Sequence, residues 1–414
     1  MGIDWDVVII GGGAAGIGAT RRLAESGVST LLLEASQRIG GRAFTAKLAG
    51  HALDLGCGWL HSADRNPWVR IAEASGFAVD RRRSAWNQQY GDLGFSQAEQ
   101  EAADEAYAAW HDRLIRELPP GDRAADALEP GGAWNAYLQA ISGYISGAGL
   151  ERLSAADYLA YDRASTRYNW RVPAGYGTLV AASLPPTVAL RLATPVEAID
   201  LDTDGVSIVT RAGSITARSA ILTVSTSVLA GGTIRLPAAL DDWRHAAGSL
   251  PLGRNEKLFL EIVGEGPFEP ETHVIGDPHD AGTGSYYIRP FGRPVIEGFF
   301  GGEGARALAE SGPAAGFAQA VDQLAALFGS EVRAVLRPLA MSAWSRMEHV
   351  GGAYSYALPG RAGARDSLAR PFDQRLFFAG EATERYDFST AHGAYQSGLR
   401  AAEEVVASLG VRAR

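Results

Sequence analysis

Residues 5–16 read W-D-V-V-I-I-G-G-G-A-A-G, and a second apolar run, T-L-L-L-E, follows at 30–34. The first run stops at glycines and reads as a buried parallel strand. A helix is expected over 14–26, with Gly27 as its stop. Gly11, Gly13 and Gly16 supply G-x-G-x-x-G between strand and helix. Gly11 permits the tight turn, Gly13 lets the backbone approach a pyrophosphate, and Gly16 lets the helix lie close to the strand. The first helical turn, with Ala15, offers free N–H groups and a positive dipole end to phosphates. Glu34 ends the second strand, where a carboxylate accepts from ribose hydroxyls. Together these make one βαβ dinucleotide-binding unit and predict an α/β fold.

Outward from this unit, Asn66-Pro67 opens a helix that Gly76 ends, and Ser96 with Glu99 forms a capping box for a helix through about 118. Helices are expected at 132–146 and 154–160, so 78–171 is mostly helical. The runs V-E-A-I-D-L, G-V-S-I-V-T and S-A-I-L-T-V within 188–224 read as strands separated by Asp-Gly and Ala-Gly turns. Strands are expected over 255–300 and helices over 303–329. Near the end, R-L-F-F-A-G and a helix from about 389 to 409 repeat the strand–glycine–helix theme.

The 414 residues are 46% hydrophobic and 21% charged, enough for two cores. A net charge of -9 without a basic stripe argues against nucleic acid as a partner. A single cysteine, Cys57, excludes an intrachain disulfide and fits a reducing compartment. The opening residues lack a basic stretch before an apolar one, and no apolar run reaches the roughly 18 residues of a membrane span. A cytoplasmic monomer or homodimer without membrane contact is expected, its last residues 401–414 forming a charged amphipathic helix end. No His, Asp and Glu spacing suggests a metal site.

Arg38-Ile39-Gly40-Gly41-Arg42 follows the second strand directly. A guanidinium such as Arg42 clamps a pyrophosphate in bidentate fashion, and paired glycines such as Gly41 let backbone lie against a flat ring. From Glu34 and Ala35 through Arg42, the stretch resembles the E-A-x-x-R-x-G-G-R pattern of the flavin amine oxidases. Five further blocks resemble that family, in its order. They are Asp54-Leu55-Gly56-Cys57-Gly58-Trp59-Leu60-His61, residues 172–179 (V-P-A-G-Y-G-T-L), residues 255–261 (N-E-K-L-F-L-E), Trp344 with 352–356 (G-A-Y-S-Y), and residues 379–398 (A-G-E-A-T, then S-T-A-H-G-A and S-G). Only 78–171 has no matching block.

The resemblance implies a glutathione-reductase-type, Rossmann-like FAD domain with a second, mixed α+β substrate domain. The FAD domain would comprise 1–77, 172–245 and 343–414, and the substrate domain 78–171 and 246–342. It implies cofactor contacts from Gly11, Gly13, Ala15, Gly16, Glu34, Ala35, Gly41, Arg42, Gly58, Trp59, Val196, Trp344, Gly380, Glu381, Thr390 and Ala391. Lys257 matches the lysine that holds a water near flavin N5, and Tyr354 a wall of the aromatic cage. His61 matches the polyamine oxidase position facing the substrate nitrogen, with Trp59 and Thr390 beside the substrate. His392 is expected to serve helix-start structure, and Cys57 to be a buried small hydrophobe. Ala353 stands where monoamine oxidases carry the cysteine that bonds the flavin, so FAD is expected to be held non-covalently. The implied activity is oxidation of a small-molecule primary or secondary amine, with polyamines among the candidates, by O2 to give H2O2. The alternatives are an L-amino-acid oxidase, with Arg81, Arg82, Arg83 or Arg163 as a source of carboxylate binding, and a related flavin desaturase or oxidase. A nicotinamide dehydrogenase and a non-catalytic FAD module are the readings from other classes.

Overall fold

The computed structural model describes residues 3–202 and 205–410. Asp204 of the expected Asp-Gly turn and the last four residues of the expected C-terminal helix end lie outside that range.

The opening unit forms as its sequence dictates. Strand Trp5–Ile10 runs parallel to strand Thr30–Leu33, Val7 opposite Thr30 and Ile10 opposite Leu33, with helix Ala14–Ala24 between them. A Cβ on Gly16 would lie 1.9 Å from the carbonyl oxygen of Gly11, so only glycine allows this approach of helix to turn. Five other strands complete the sheet. Ala189–Arg191 pairs with the second strand, and Gly213–Leu222 runs parallel to the first. Leu376–Phe378 adds parallel to that long strand. Val196–Leu201 and Val206–Thr210 form an antiparallel meander on it. Val7, Ile9, Leu32, Ile221 and Phe377 face the first helix and the last, Ala391–Ser408. Those two helices touch backbone to backbone: a Cβ on Gly398 would stand 2.0 Å from Ala15 O, and one on Gly18 2.4 Å from Tyr395 O.

A second, antiparallel sheet of five strands has the order Thr272–Ile275, Ser285–Ile288, Val295–Gly301, Asn255–Ile262, Leu336–Met341. Alternation divides its residues between two faces. Leu258, Leu260, Val274, Tyr286, Ile288, Ile296 and Phe300 pack with helices Gly302–Ser311 and Pro313–Phe328. Lys257, His273, Ser285, Tyr287, Glu297 and Phe299 line a cavity on the other side.

The capping box forms as expected on helix Gln97–Arg116. Two starts differ from the expectation. The helix expected from 132 begins at Asn135, after Gly131 in the left-handed region at φ 68° and Gly132. The last helix begins at Ala391, because Thr390 is its N-cap and accepts from Gly393 N. The helix expected to end near 160 continues through Ala164. Among the described residues no helix is long and apolar enough to cross a membrane.

Candidate active site

A cavity of about 1290 Å³ runs from the glycine turn to the polar face of the second sheet. Every residue named above as a cofactor contact, with Lys257, His61 and Tyr354, lines it except Gly16, whose part is packing, whereas Arg81, Arg82, Arg83 and Arg163 do not line it.

At the nucleotide end, helix Ala14–Ala24 has Gly13 as N-cap and no side-chain cap, which leaves its first N–H groups for a ligand. Glu34 accepts from Gly12 N at 2.6 Å and from Ser36 N and Oγ at 2.8 and 2.7 Å. The carboxylate expected to meet ribose thus also braces the phosphate turn. Arg38 stacks 4.0 Å from the Phe44 ring and donates to Gly41 O. Arg42 donates to Ala353 O and forms an ion pair with Glu381 at 3.0 Å, leaving its other donors for a phosphate. An uncapped helix end, a glycine cradle and an arginine at one end of a long cavity fit a dinucleotide such as FAD.

The sequence blocks are pinned to one another by buried carboxylates. Asp54 accepts from Tyr176 N and Gly177 N, fixing the start of helix Tyr176–Ala182. Glu256 accepts from Ser342 Oγ, Trp344 N and Ser345 N, and Trp344 Nε1 donates to Leu55 O. Glu381 accepts from Ser355 N and Oγ and from Ser389 N. Burial pushes the Glu381 carboxyl up, but Arg42, Ser355 and Arg365 outweigh it and hold it below the usual range. Behind Glu381, buried Arg365 donates to Ser355 Oγ and grips Asp157 in two bonds of 2.6 and 2.8 Å.

At the chamber end, Lys257 is buried on its strand. Its Nζ donates to Asp54 O at 3.0 Å and lies 2.7 Å from Glu297 Oε1. Gly58 passes directly beneath, since a Cβ there would stand 3.0 Å from that Nζ. Trp59 meets Trp86 edge-on at 4.2 Å and Tyr287 at 5.6 Å. Arg171, tied to Asp80 and Glu271, lies 4.9 Å over Trp59 and holds that wall. The Tyr354 hydroxyl donates to Tyr144 O at 2.5 Å, and burial pushes its pKa well up.

His61 Nδ1 lies 2.7 Å from Asn169 Oδ1, and burial lowers the imidazole pKa to about 4. The ring is therefore neutral at pH 7. Oδ1 only accepts, so Nδ1 carries the proton and Nε2 the lone pair. Thr390 lines the cavity, but its hydroxyl is spent on the helix cap and on Asp387 O. His392 sits in the first turn of the last helix, 3.1 Å from Asp387.

Sequence reasoning missed Glu297, Asn169, Trp86, Tyr144 and Tyr287. A signal existed for Glu297 alone. A lysine on an apolar strand needs a counter-charge, and Glu297 is the one acid in V-I-E-G-F-F on the neighbouring strand.

A dinucleotide cradle that opens onto a lysine-and-aromatic chamber defines the class: an FAD-dependent oxidoreductase. Residues 79–406 match the family described as flavin containing amine oxidoreductase, and residues 9–73 match the NAD(P)-binding Rossmann-like domain. The chain belongs to the flavin-containing amine oxidoreductases and oxidises amines. It is 28% identical to polyamine oxidase 2 of Arabidopsis thaliana, over 96% of this chain and 87% of that protein. It is 27% identical to polyamine oxidase 4 of Oryza sativa subsp. japonica, over 96% and 88%. A solved structure of putrescine oxidase bound to putrescine superposes with a TM-score of 0.75 at 18% identity, covering 97% of this chain and 99% of that one. That likeness concerns the fold.

Proposed function

We propose that the chamber oxidises the carbon next to the nitrogen of a primary or secondary amine, polyamines among the candidates. FAD held by the glycine turn, Glu34 and Arg42 would supply a hydride acceptor that O2 reoxidises with formation of H2O2, and the imine product would be hydrolysed by water. Segments 1–77, 172–245 and 343–414 hold the cofactor in this reading, and 78–171 with 246–342 shape the chamber. The observation that carries it is one continuous cavity lined by both the glycine turn and Lys257, Trp59, His61 and Tyr354.

Only a neutral amine gives up hydride readily. The lone pair on His61 Nε2 accepts a hydrogen bond from the substrate nitrogen, while Asn169 keeps the ring in that tautomer. Trp59, Trp86 and Tyr354 lower the dielectric around the nitrogen, which favours its uncharged form. Lys257 keeps its third N–H for a water beside the cofactor. Ala353 offers no nucleophile, so the cofactor stays non-covalent and acid precipitation releases it into the supernatant.

The amine reading is favoured over an amino acid by the arginines. Among the described residues lining the cavity, these are Arg38, Arg42 and Arg211, all with the nucleotide-end residues. Arg81 pairs with Glu73 and Arg82 with Asp80, outside the cavity. Anaerobic mixing with a panel of amines, polyamines and amino acids tests the proposal. Bleaching of the flavin by amines is expected; bleaching by amino acids alone would overturn it.

A further inference from the structure

The cavity that a cationic substrate would enter has a fixed cation, Lys257, in its lining. Amines are ammonium ions in neutral water, and an ammonium approaching a second one in a partly dry pocket is repelled strongly. Lys257 is not bare, however. Its Nζ stands 2.7 Å from Glu297 Oε1, and the two side chains retain only 9% and 20% of their exposure. They sit on adjacent antiparallel strands in diagonal register, Lys257 opposite Phe299 and Glu297 opposite Phe259, a separation that long side chains bridge. Both line the cavity. The nearby Asp54 meets Lys257 Nζ through its backbone oxygen, its carboxylate being turned to Tyr176 N, Gly177 N and Thr45 Oγ1, so Glu297 is the acid whose carboxylate touches the ammonium. Asp104 lines the cavity too, but is exposed to solvent.

We propose that Glu297 is a specificity-determining residue: it neutralises Lys257 and so lets the chamber admit its amine as the ammonium ion. The pair carries no net charge, while the lysine keeps its place and its spare N–H. Glu297 acts through Lys257 and need not touch the substrate. The inference rests on the amine reading of the chamber.

The test uses the FAD-loaded enzyme and a matched pair of ligands that cannot react. 2-Methylhexan-2-amine has no hydrogen on the carbon bearing nitrogen and cannot yield hydride; 2-methylhexan-2-ol is its neutral analogue. Binding is followed by calorimetry and by perturbation of the flavin absorbance. In E297Q the amine should bind at least about tenfold more weakly, while the alcohol binds within about twofold of the wild type. Adding K257M to E297Q removes the stranded cation and should restore amine binding to near the wild-type level. Equal weakening of both ligands would mean a structural role and overturn the proposal, as would unchanged amine binding. A double variant as weak as E297Q would overturn it too, by making Glu297 a direct ligand of the ammonium. Should wild-type enzyme neither bind the amine nor be bleached by any reactive amine, the amine reading itself falls, a result distinct from all of these.

Discussion

Replacing Arg365 by Met strands the buried carboxylate of Asp157. The guanidinium is 1% exposed and its partner Asp157 2%, and they share two bonds of 2.6 and 2.8 Å. Arg365 also donates to Ser355 Oγ at 2.9 Å and lies 3.5 Å over the Phe388 ring. Ser355 in turn donates to Glu381, the acid paired with Arg42 in the cofactor cavity. Methionine fills most of the volume, so the loss is electrostatic. Removing one partner of a buried pair costs about 3–5 kcal/mol, because the other charge stays buried and uncompensated.

An unfolding entropy of roughly 2 cal/mol/K per residue over 414 residues turns a loss of about 4 kcal/mol into a melting point about 5 °C lower. The assay is thermal unfolding of the holoenzyme, followed by release of flavin fluorescence. A second variant isolates the cause. Adding Asp157→Asn removes the stranded charge yet keeps an acceptor for Ala357 N, which now bonds Asp157 Oδ2 at 2.9 Å. The pair D157N/R365M should therefore melt above R365M. A single variant within about 1 °C of the wild type, or a double variant melting below the single, would refute the reasoning.

Gly16→Ala forces a Cβ to within 1.9 Å of Gly11 O and should yield colourless protein, read from the absorbance of the purified enzyme. Asn169→Ala frees the His61 tautomer and should slow anaerobic flavin reduction by about tenfold to a hundredfold, measured by stopped flow. Burial and the Asp54 carboxylate push the Cys57 thiol up to about 12, so iodoacetamide at pH 8 should leave it unmodified by mass spectrometry. Burial holds His61 and His273 at about 4 against an ordinary 6.5. The unfolded chain then binds protons that the folded one refuses, so stability falls as pH drops from 6.5 towards 4, by about 1.4 kcal/mol per unit for each histidine. His273→Leu should flatten that slope in urea titrations across the window.

What the sequence disclosed and what it hid follow from how each contact is encoded. The phosphate turn was legible because its parts lie within thirty residues of chain, and glycine is the one residue that meets the geometric demand at Gly11 and Gly16. The remaining blocks were legible as a resemblance, and the structure supplies the physics beneath it. Asp54, Glu256 and Glu381 each hold the backbone of another block, so an acid in one motif is a condition on a turn 122 residues away for Asp54, 88 residues away for Glu256 and, for Glu381, on the Ser355 loop. Single-chain patterning cannot show such pairings, because neither partner has a periodicity that names the other. The chamber wall was hidden for the same reason. Trp86 and Asn169 come from irregular chain within 78–171, and only tertiary contact places one against Trp59 and the other against His61. Glu297 is the intermediate case. Its strand was expected, its inward side follows from alternation, and an unpaired lysine on the adjacent strand called for an anion. The charge balance of the chamber could thus have been drawn from two strands and their register, whereas its aromatic wall required the fold.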